Sequence, residues 1–270
     1  MQLNAVLASQ FVLPSSPRVV ALLLSELERE DTDLKKINQL ISRDPALSIR
    51  LMQLANSGFF KLSGRVHSVP ECLAIVGLGQ VRTMANASAT KASLKAVVGI
   101  NLQQYWSYSL DVAKVSRSLA GLVRQNQQAA FTVGLIHYVG ELVMRLLMPL
   151  DMARLDSEMP ALDVRRAKAE RKAFGFNYAE VGAGLARQWQ FPEPIVDALS
   201  CQDAPFVDND YEPLAGVLHL AAWRGRCKDA GLNQREMAVT FPGAVGDVLS
   251  LDIDMVLQQD PIDWTSPRSQ

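Results

Sequence analysis

The sequence predicts an all-α protein, and three observations carry this prediction. Apolar residues recur at helical spacing along most of the 270 residues, no stretch alternates apolar and polar residues long enough to suggest a strand, and helix-start signals recur between the apolar segments. Hydrophobic residues make up 49% of the chain, which is enough to build a substantial core. The formal net charge of −1 gives no whole-protein argument for a polyanionic partner.

The predicted helices of the first hundred residues are short. One is expected over 17–28, where valines and leucines share a broad face. Asp44, followed by a proline, is typical of a helix N-cap, and Ser68 with Glu71 three residues later forms the pattern of a capping box. We expect these short helices to form one lobe, residues 1–100.

Longer helices are predicted after residue 100, over 102–123, 127–148, 162–174 and from Asn177 onwards. We expect residues 101–250 to form a second helical lobe. The stretch 251–270 has little to bury and is expected to be a loosely ordered tail.

The lack of a recognisable secretory signal and the spacing of the cysteines favour a cytoplasmic protein. The three cysteines stand far apart and none belongs to a C-x-x-C pair, which disfavours a disulfide framework or a thiolate zinc site. No basic residue precedes the first short apolar stretch, as it would in a secretory signal. No uninterrupted apolar run approaches the roughly 18 residues of a membrane span, so no membrane association is expected.

Net positive charge is concentrated in the first lobe. Residues 1–100 contain 11 Lys and Arg against 7 Asp and Glu, whereas the rest of the chain contains 16 against 21. Between Arg50 and Lys95, six basic residues face a single acid, Glu71. Such a bias is compatible with phosphate contacts or an acidic partner, although a solvated helix face has the same composition.

Several motifs together resemble those of the HDOD (HD-related output domain) family of bacterial regulatory proteins. In the first lobe they are DPAL at 44–47, LANS at 54–57 and VGLG at 76–79. In the second lobe they are AAFTVGLIHYVGELVM and FGFNYAEVGAGLARQWQFPEPI. The resemblance covers roughly residues 10–225. It implies a bundle like that of HD-superfamily metal phosphohydrolases and an output role in bacterial signal transduction.

The resemblance also implies where a metal centre would lie, and this sequence departs from the expected ligands. His137 stands at the position of the signature histidine, but the next residue, expected to be an aspartate, is Tyr138. The other ligand positions are occupied by Tyr178, Cys201, Gln202 and, on the last helix, Ala221 or Ala222. A neutral phenol is a poor ligand for a hard dication. We therefore expect a vestigial pocket, with no metal, no cofactor and no catalytic residue, formed by His137, Tyr138, Tyr178, Cys201 and Gln202.

Composition leads to the same expectation without reference to a family. The chain has only three histidines, and Glu141 is the one carboxylate four residues away that could face the same way as His137. Two ligands are too few for a catalytic zinc site. No Walker loop, G-x-G-x-x-G, H-E-x-x-H or G-x-S-x-G motif occurs.

A contact surface in the first lobe is a second candidate site. Cap and turn roles explain three of its polar residues, but these residues stand near two aromatic side chains and two arginines. The candidate interaction surface consists of Asp44, Asn56, Ser57, Phe59, Phe60, Arg50 and Arg82.

Three functions remain open. The favoured one is a non-catalytic regulatory protein that acts through a signalling partner or a small ligand, bound in the groove between the lobes or at the pocket around His137. A metal-dependent phosphohydrolase would need Glu141 or Asp151 to rebuild the site. A DNA-binding regulator could use residues 31–57 as a helix-turn-helix, but the second helix of that pair is mostly apolar, which disfavours nucleic acid.

Overall fold

The computed structural model describes residues 1–91, 97–206 and 212–258, and it contains helices and no β-strand in that part of the chain. The predicted all-α fold with two lobes is confirmed. The first lobe consists of α1 (Leu3–Ala8), α2 (Pro17–Leu27), α3 (Leu34–Ile41), α4 (Pro45–Ala55), α5 (Val69–Val76) and α6 (Leu78–Lys91). The second begins with α7 (Leu102–Leu122), α8 (Gln127–Ile136), α9 (Val139–Leu147), α10 (Pro149–Glu158) and α11 (Arg166–Phe174). It continues with α12 (Tyr178–Gln188), α13 (Glu193–Ser200), α14 (Pro213–Ala230), α15 (Gln234–Thr240), α16 (Gly243–Leu249) and α17 (Ile253–Gln258).

Asp44 caps α4 and also holds the chain that leads into α2. One carboxylate oxygen accepts a hydrogen bond from the Leu47 N–H at 2.9 Å, and the other accepts one from the Ser16 N–H at 2.6 Å. The side chain is fully buried, and burial raises the pKa of Asp44 to about 6, against the lowering effect of these hydrogen bonds. Asp44 is therefore an interior cap of the first lobe.

Ser68 caps α5 as its sequence pattern predicts. Its hydroxyl oxygen accepts a hydrogen bond from the Glu71 N–H at 3.4 Å. Glu71 returns the contact differently from a standard capping box, because its carboxylate accepts from the His67 N–H at 2.9 Å and from the Ser68 hydroxyl at 2.9 Å. The loop before α5 is thereby fixed on both sides of the cap.

The predicted helix 127–148 is interrupted at its centre. Helix α8 ends at Ile136 and α9 begins at Val139, and between them Tyr138 leaves helical geometry with φ −102° and ψ 12°. Beyond the break, Gly140 lies directly against α12, where a side-chain carbon would overlap the Tyr178 carbonyl. The break and the glycine together let α9 pack closely on α12.

By length and composition, Gln127–Leu147 is apolar enough to span a membrane, although polar residues interrupt its apolar run. Within the protein, 83% of its most apolar window is buried. Helix α8 packs against α7, α13 and α14, and α9 packs against α12. The segment therefore forms the core of the second lobe.

The lobes contact each other along one side of the molecule. Helix α1 packs on α12, and α4 packs on α8. The loop after α4 joins the end of α12 through a hydrogen bond from the Gly64 N–H to the Gln190 carbonyl at 3.0 Å.

In the stretch predicted as a loose tail, residues 253–258 form α17 because Val256 is fully buried, and residues 259–270 lie outside the described residues.

The two N-cap aspartates of the first lobe allow a matched test of Asp44. The Asp44→Ala change leaves the Ser16 and Leu47 N–H groups without their acceptor in a poorly hydrated site, and we expect it to lower the free energy of unfolding by about 2–4 kcal/mol. Asp33 caps α3 on the surface, where water replaces the lost acceptor, so Asp33→Ala should cost about 0.5–1 kcal/mol. Urea denaturation of both variants measures the difference, and equal losses would contradict the interior role of Asp44.

Candidate functional site

The break between α8 and α9 places a cluster of rings at the centre of the second lobe. We call the set Tyr105, Tyr108, His137, Tyr138 and Tyr178 the aromatic cluster. The ring centroid of Tyr138 lies 5.0 Å from that of Tyr178, 5.7 Å from that of His137 and 5.8 Å from that of Tyr108. All five side chains are buried. The position of the predicted vestigial pocket is thus filled by the protein's own rings.

The hydrogen bonds of His137 occupy both ring nitrogens. Nδ1 lies 2.7 Å from the Gly134 carbonyl oxygen, which can only accept, so Nδ1 carries the proton. Nε2 is then an acceptor, and the Tyr108 hydroxyl lies 3.4 Å from it. Burial lowers the pKa of His137 to about 3, so the ring is neutral at neutral pH. The lone pair that could bind a metal therefore faces a tyrosine hydroxyl.

Arg226 of α14 lies on the other side of the same tyrosine. Its Nη2 donates to the Tyr178 hydroxyl at 3.2 Å, and the guanidinium is also beside the Tyr108 hydroxyl. The positive charge contributes, after burial, to the low pKa of His137. A dication at this place would meet a fixed cation of the chain at short range, where repulsion is strong.

The remaining predicted pocket residues lie at the edge of the cluster. Gln202 donates from Nε2 to the His137 carbonyl at 3.2 Å and to the Leu199 carbonyl at 2.9 Å. The backbone carbonyl of Gln202 accepts a hydrogen bond from Nδ1 of His219 at 2.8 Å. Cys201, partly buried, precedes it at the end of α13. Gln202 supports the backbone at the helix break.

Tyr138 stands at the position where the resemblance implies an aspartate, but its side chain has different chemistry. Its hydroxyl donates to the Ala161 carbonyl, and burial raises its pKa well above the ordinary value, so the phenol stays neutral. Across residues 1–91, 97–206 and 212–258, no group of three or more His, Cys, Asp or Glu is placed to hold a metal ion. The described side chains around His137 are thus tyrosines and a guanidinium, which are not ligands that a hard dication prefers.

Five ionisable side chains lie next to the aromatic cluster, on α9, α10 and α11. We call Glu141, Arg145, Asp156, Arg166 and Glu170 the charge network. Arg145 contacts Glu141 at 2.7 Å and Asp156 at 2.6 Å. Arg166 contacts Glu141 at 3.1 Å, Asp156 at 2.9 Å and Glu170 at 2.8 Å. All except Asp156 are buried, so each charge depends on the others for stabilisation.

A proton on Glu170 balances the network. Burial and, next, the neighbouring Glu141 raise the pKa of Glu170 far above its ordinary value. The neighbouring Glu141 carboxylate can accept a hydrogen bond from a protonated Glu170, and Oε2 of Glu141 accepts none from the other described residues. With Glu170 neutral, two guanidinium groups face two carboxylates. Glu170 also accepts from the Tyr178 N–H at 2.8 Å, which connects the network to the aromatic cluster.

Sequence reasoning considered Glu141 only as a metal ligand and missed the other members of the network, together with Tyr105, Tyr108 and Arg226. A signal was present in α9, because Glu141 and Arg145 are the only Asp, Glu, Lys or Arg of the segment Gln127–Leu147 and stand four residues apart. Such a pair in an apolar helix indicates a buried ion pair.

A shallow cavity of about 230 Å³ opens on the outer side of the aromatic cluster. Its inner wall includes the rings of Tyr105, Tyr108 and Tyr138, and Ala161 and Asp229 line its rim. The interior of the cluster is closed, whereas this outer face is accessible to a small molecule.

Comparison with known proteins identifies the family. The family model of the HDOD domain matches residues 13–205. The chain belongs to the HDOD family. The MmoQ response regulator of Methylococcus capsulatus is 25% identical, with a TM-score of 0.74 over 93% of this chain and 98% of that one. A Shewanella amazonensis protein whose name calls it a candidate phosphohydrolase is 27% identical, with a TM-score of 0.54 over 92% of this chain and 90% of that one.

Two curated relatives are longer than this chain. An uncharacterized protein of Treponema pallidum is 24% identical over 212 residues, which are 77% of this chain and 41% of the relative. The uncharacterized protein YuxH of Bacillus subtilis is 23% identical over 142 residues, 52% of this chain and 33% of the relative. The HDOD chain therefore spans less than half the length of the curated relatives it matches.

The predicted contact surface of the HDOD chain is wrong for its two buried members. Asp44 is an interior cap, and Asn56 is fully buried, with its amide donating to the Val66 carbonyl at 3.1 Å and accepting from the Val66 N–H at 3.1 Å. Ser57 and Phe60 are partly buried, and Phe59 is 78% exposed. A surface formed by these last three residues stays a prediction.

The two arginines of that surface have partners within the first lobe. Arg50 donates to the Ser15 hydroxyl at 2.6 Å, to the Ser88 hydroxyl at 3.1 Å and to the Leu13 carbonyl. Arg82 is exposed overall and donates to the Leu27 carbonyl at the end of α2. Lys95, the last member of the basic stretch, lies outside the described residues.

Helix α4 does not fit the proposed role of a DNA-reading helix. Its residues Ile49, Leu51 and Met52 are buried in the lobe, and the guanidinium of Arg50 faces inward to the partners named above. A recognition helix presents a free polar face to the major groove, and α4 lacks one.

The proton on Glu170 has a measurable consequence for stability. Between the ordinary pKa of 4.5 and the raised folded value, the folded chain holds a proton that the unfolded chain releases. Stability then falls as pH rises, by up to about 1.4 kcal/mol per pH unit. We expect Glu170→Gln to remove this dependence, so the free energy of unfolding of the variant should improve relative to wild type between about pH 5 and pH 8.

The control is Glu158→Gln, at an exposed position at the end of α10. Urea denaturation at several pH values gives the difference between each variant and wild type. The assignment is wrong if the difference in free energy of unfolding between Glu170→Gln and wild type does not change with pH. A constant difference would not support it, because Gln also removes one acceptor for the Tyr178 N–H.

Proposed function

We propose that this HDOD protein is a non-catalytic, cytoplasmic regulatory module of bacterial signal transduction that acts by binding a partner protein or a small ligand. One observation carries the proposal: the Tyr108 hydroxyl and the Arg226 guanidinium occupy the place beside His137 where a phosphohydrolase would hold its metal. HD chemistry needs a dication to generate the nucleophile and to stabilise the phosphate. A fixed organic cation in a shell of neutral tyrosines supplies no activated water.

The relatives support a regulatory role at the level of the fold. MmoQ is described as a response regulator, and its resemblance extends over nearly all of both chains. Because the curated relatives are much longer than this chain, the proposal concerns the activity of the HDOD module and leaves its partner to experiment.

A metal-dependent phosphohydrolase is the alternative that the name of the Shewanella amazonensis protein supports. It would require carboxylates to replace the missing ligands of His137. Glu141 is already bound by Arg145 and Arg166, and Asp151 lies on the partly exposed side of α10, 4.0 Å from Arg154. Turning Glu141 to His137 would leave two buried guanidinium groups without this carboxylate, and Asp151 is held only by an exposed contact on α10.

Metal content and turnover test the proposal. We expect chain purified without chelators and incubated with Mn²⁺, Fe²⁺ or Zn²⁺ to retain substoichiometric metal after desalting. We expect no hydrolysis of bis(p-nitrophenyl) phosphate or of nucleotides above the buffer rate, because the centre offers one imidazole already hydrogen-bonded at both nitrogens.

His137→Asn is the control variant, since it removes the only imidazole of the centre. Stoichiometric metal in the wild type, together with turnover that this variant lacks, would establish the phosphohydrolase and end the proposal. Elemental analysis and a colorimetric assay make both measurements on the same preparation.

A further inference from the structure

A second cavity, of about 360 Å³, lies in the groove between the two lobes. Helix α3 and the start of α5 form one wall, and α7 and α8 form the other. None of its lining residues belongs to the aromatic cluster or the charge network. It is therefore a separate site, of a size that fits a small ligand.

Three basic side chains line this inter-lobe cleft and no acidic one does. Arg43 comes from the turn before α4, and Lys114 and Arg117 come from α7. None of the three forms an ion pair within the part of the chain that the structure describes. The carboxylate of Glu71, one turn from the lining residue Ser68, is engaged by the Ser68 hydroxyl and the His67 N–H. The cleft is thus a concave site whose lining carries three basic side chains and no acidic one, and such a lining attracts anions.

The rest of the lining is suited to a flat ring. The Arg117 guanidinium carbon lies 5.5 Å from the centroid of the Phe131 ring, and both side chains line the cleft. Aliphatic surface comes from Val69 and Leu110, and Gln128 adds an amide that can donate and accept. Stacking on Phe131 or on the guanidinium and hydrogen bonding by the amide are the contacts that nucleobases make with proteins.

We propose that the inter-lobe cleft binds a phosphorylated small molecule with a planar heterocycle, that is, a ligand of the nucleotide class. The unpaired cations would hold the phosphate, and the Arg117–Phe131 pair with Gln128 would hold the ring. Bare phosphate would leave the apolar lining unused. An extended acidic peptide is the competing occupant, and the experiment includes it.

The experiment uses the full chain and five probes in isothermal titration calorimetry at low ionic strength. The probes are GMP, AMP, ribose 5-phosphate, guanosine and a short polyglutamate peptide. We expect at least one nucleotide to bind about tenfold or more tightly than ribose 5-phosphate and than the unphosphorylated nucleoside, because each lacks one of the two contacts.

Three variants locate the site. The double variant Lys114→Ala with Arg117→Ala should weaken nucleotide binding about tenfold or more, since charged hydrogen bonds to phosphate are lost. The double variant Lys172→Ala with Arg18→Ala removes the same charge from exposed positions outside the cleft and should leave binding unchanged. Phe131→Leu should weaken the nucleotide and leave ribose 5-phosphate unaffected.

Three results would overturn the inference: no nucleotide binding at about 1 mM, equal binding by both double variants, or tighter binding of polyglutamate than of either nucleotide. The proposed function is tested separately. Metal bound at His137 together with turnover would contradict the proposed function, whereas nucleotide binding that does not depend on Lys114 and Arg117 would contradict this inference. A nucleotide that binds and is hydrolysed would support the cleft and contradict the non-catalytic module.

Discussion

A charge inside a protein needs a partner of opposite sign or a set of dipoles, and this requirement shapes the centre of the second lobe. Arg145 on α9 and Arg166 on α11 are almost fully buried, and the two carboxylates and the one neutral carboxyl group that accept from them come from three helices. That need fixes α9, α10 and α11 relative to one another. Because Glu170 also receives the Tyr178 N–H, it fixes the start of α12 as well.

The same requirement is met in the aromatic cluster by neutral side chains. In a metal site the dication compensates several carboxylates at once. Tyr138 stands where the family resemblance implies one of these carboxylates, and its phenol is neutral, so it brings no negative charge for a dication to compensate. A single guanidinium, Arg226, is matched by neutral hydroxyl oxygens at Tyr108 and Tyr178. Burial, and after it the charge of Arg226, lowers the pKa of His137, so the ring is neutral at neutral pH.

Sequence patterns predicted the parts of this architecture that depend on local chemistry. The caps at Asp44 and Ser68 and the long helix α7 follow from residue type and spacing alone, and the structure has them at the predicted places. The break at His137 and Tyr138 could not be predicted in this way, because no proline or glycine stands at residues 135–139 and the apolar pattern continues through it. It depends on the close contact between Gly140 and Tyr178, residues 38 positions apart. The burial of Asn56 is a tertiary effect of the same kind, set by Val66 in the following loop.

The inter-lobe cleft and the aromatic cluster share two helices, and this gives the fold a physical route between a ligand and the outer face of the cluster. Helix α7 carries Tyr105 and Tyr108 toward its N-terminal end, and Lys114 and Arg117 toward its C-terminal end. The distance along the helix from Tyr108 to Arg117 is about 14 Å. Helix α8 carries Phe131 in the cleft and ends at the break. An anion held between α3 and α7 would favour the arrangement in which the lobes are close, since a ligand stabilises the state that it binds best. Lys114 and Arg117 stand on the same helix as Tyr105 and Tyr108, so a ligand in the cleft and the wall of the second cavity share one rigid element.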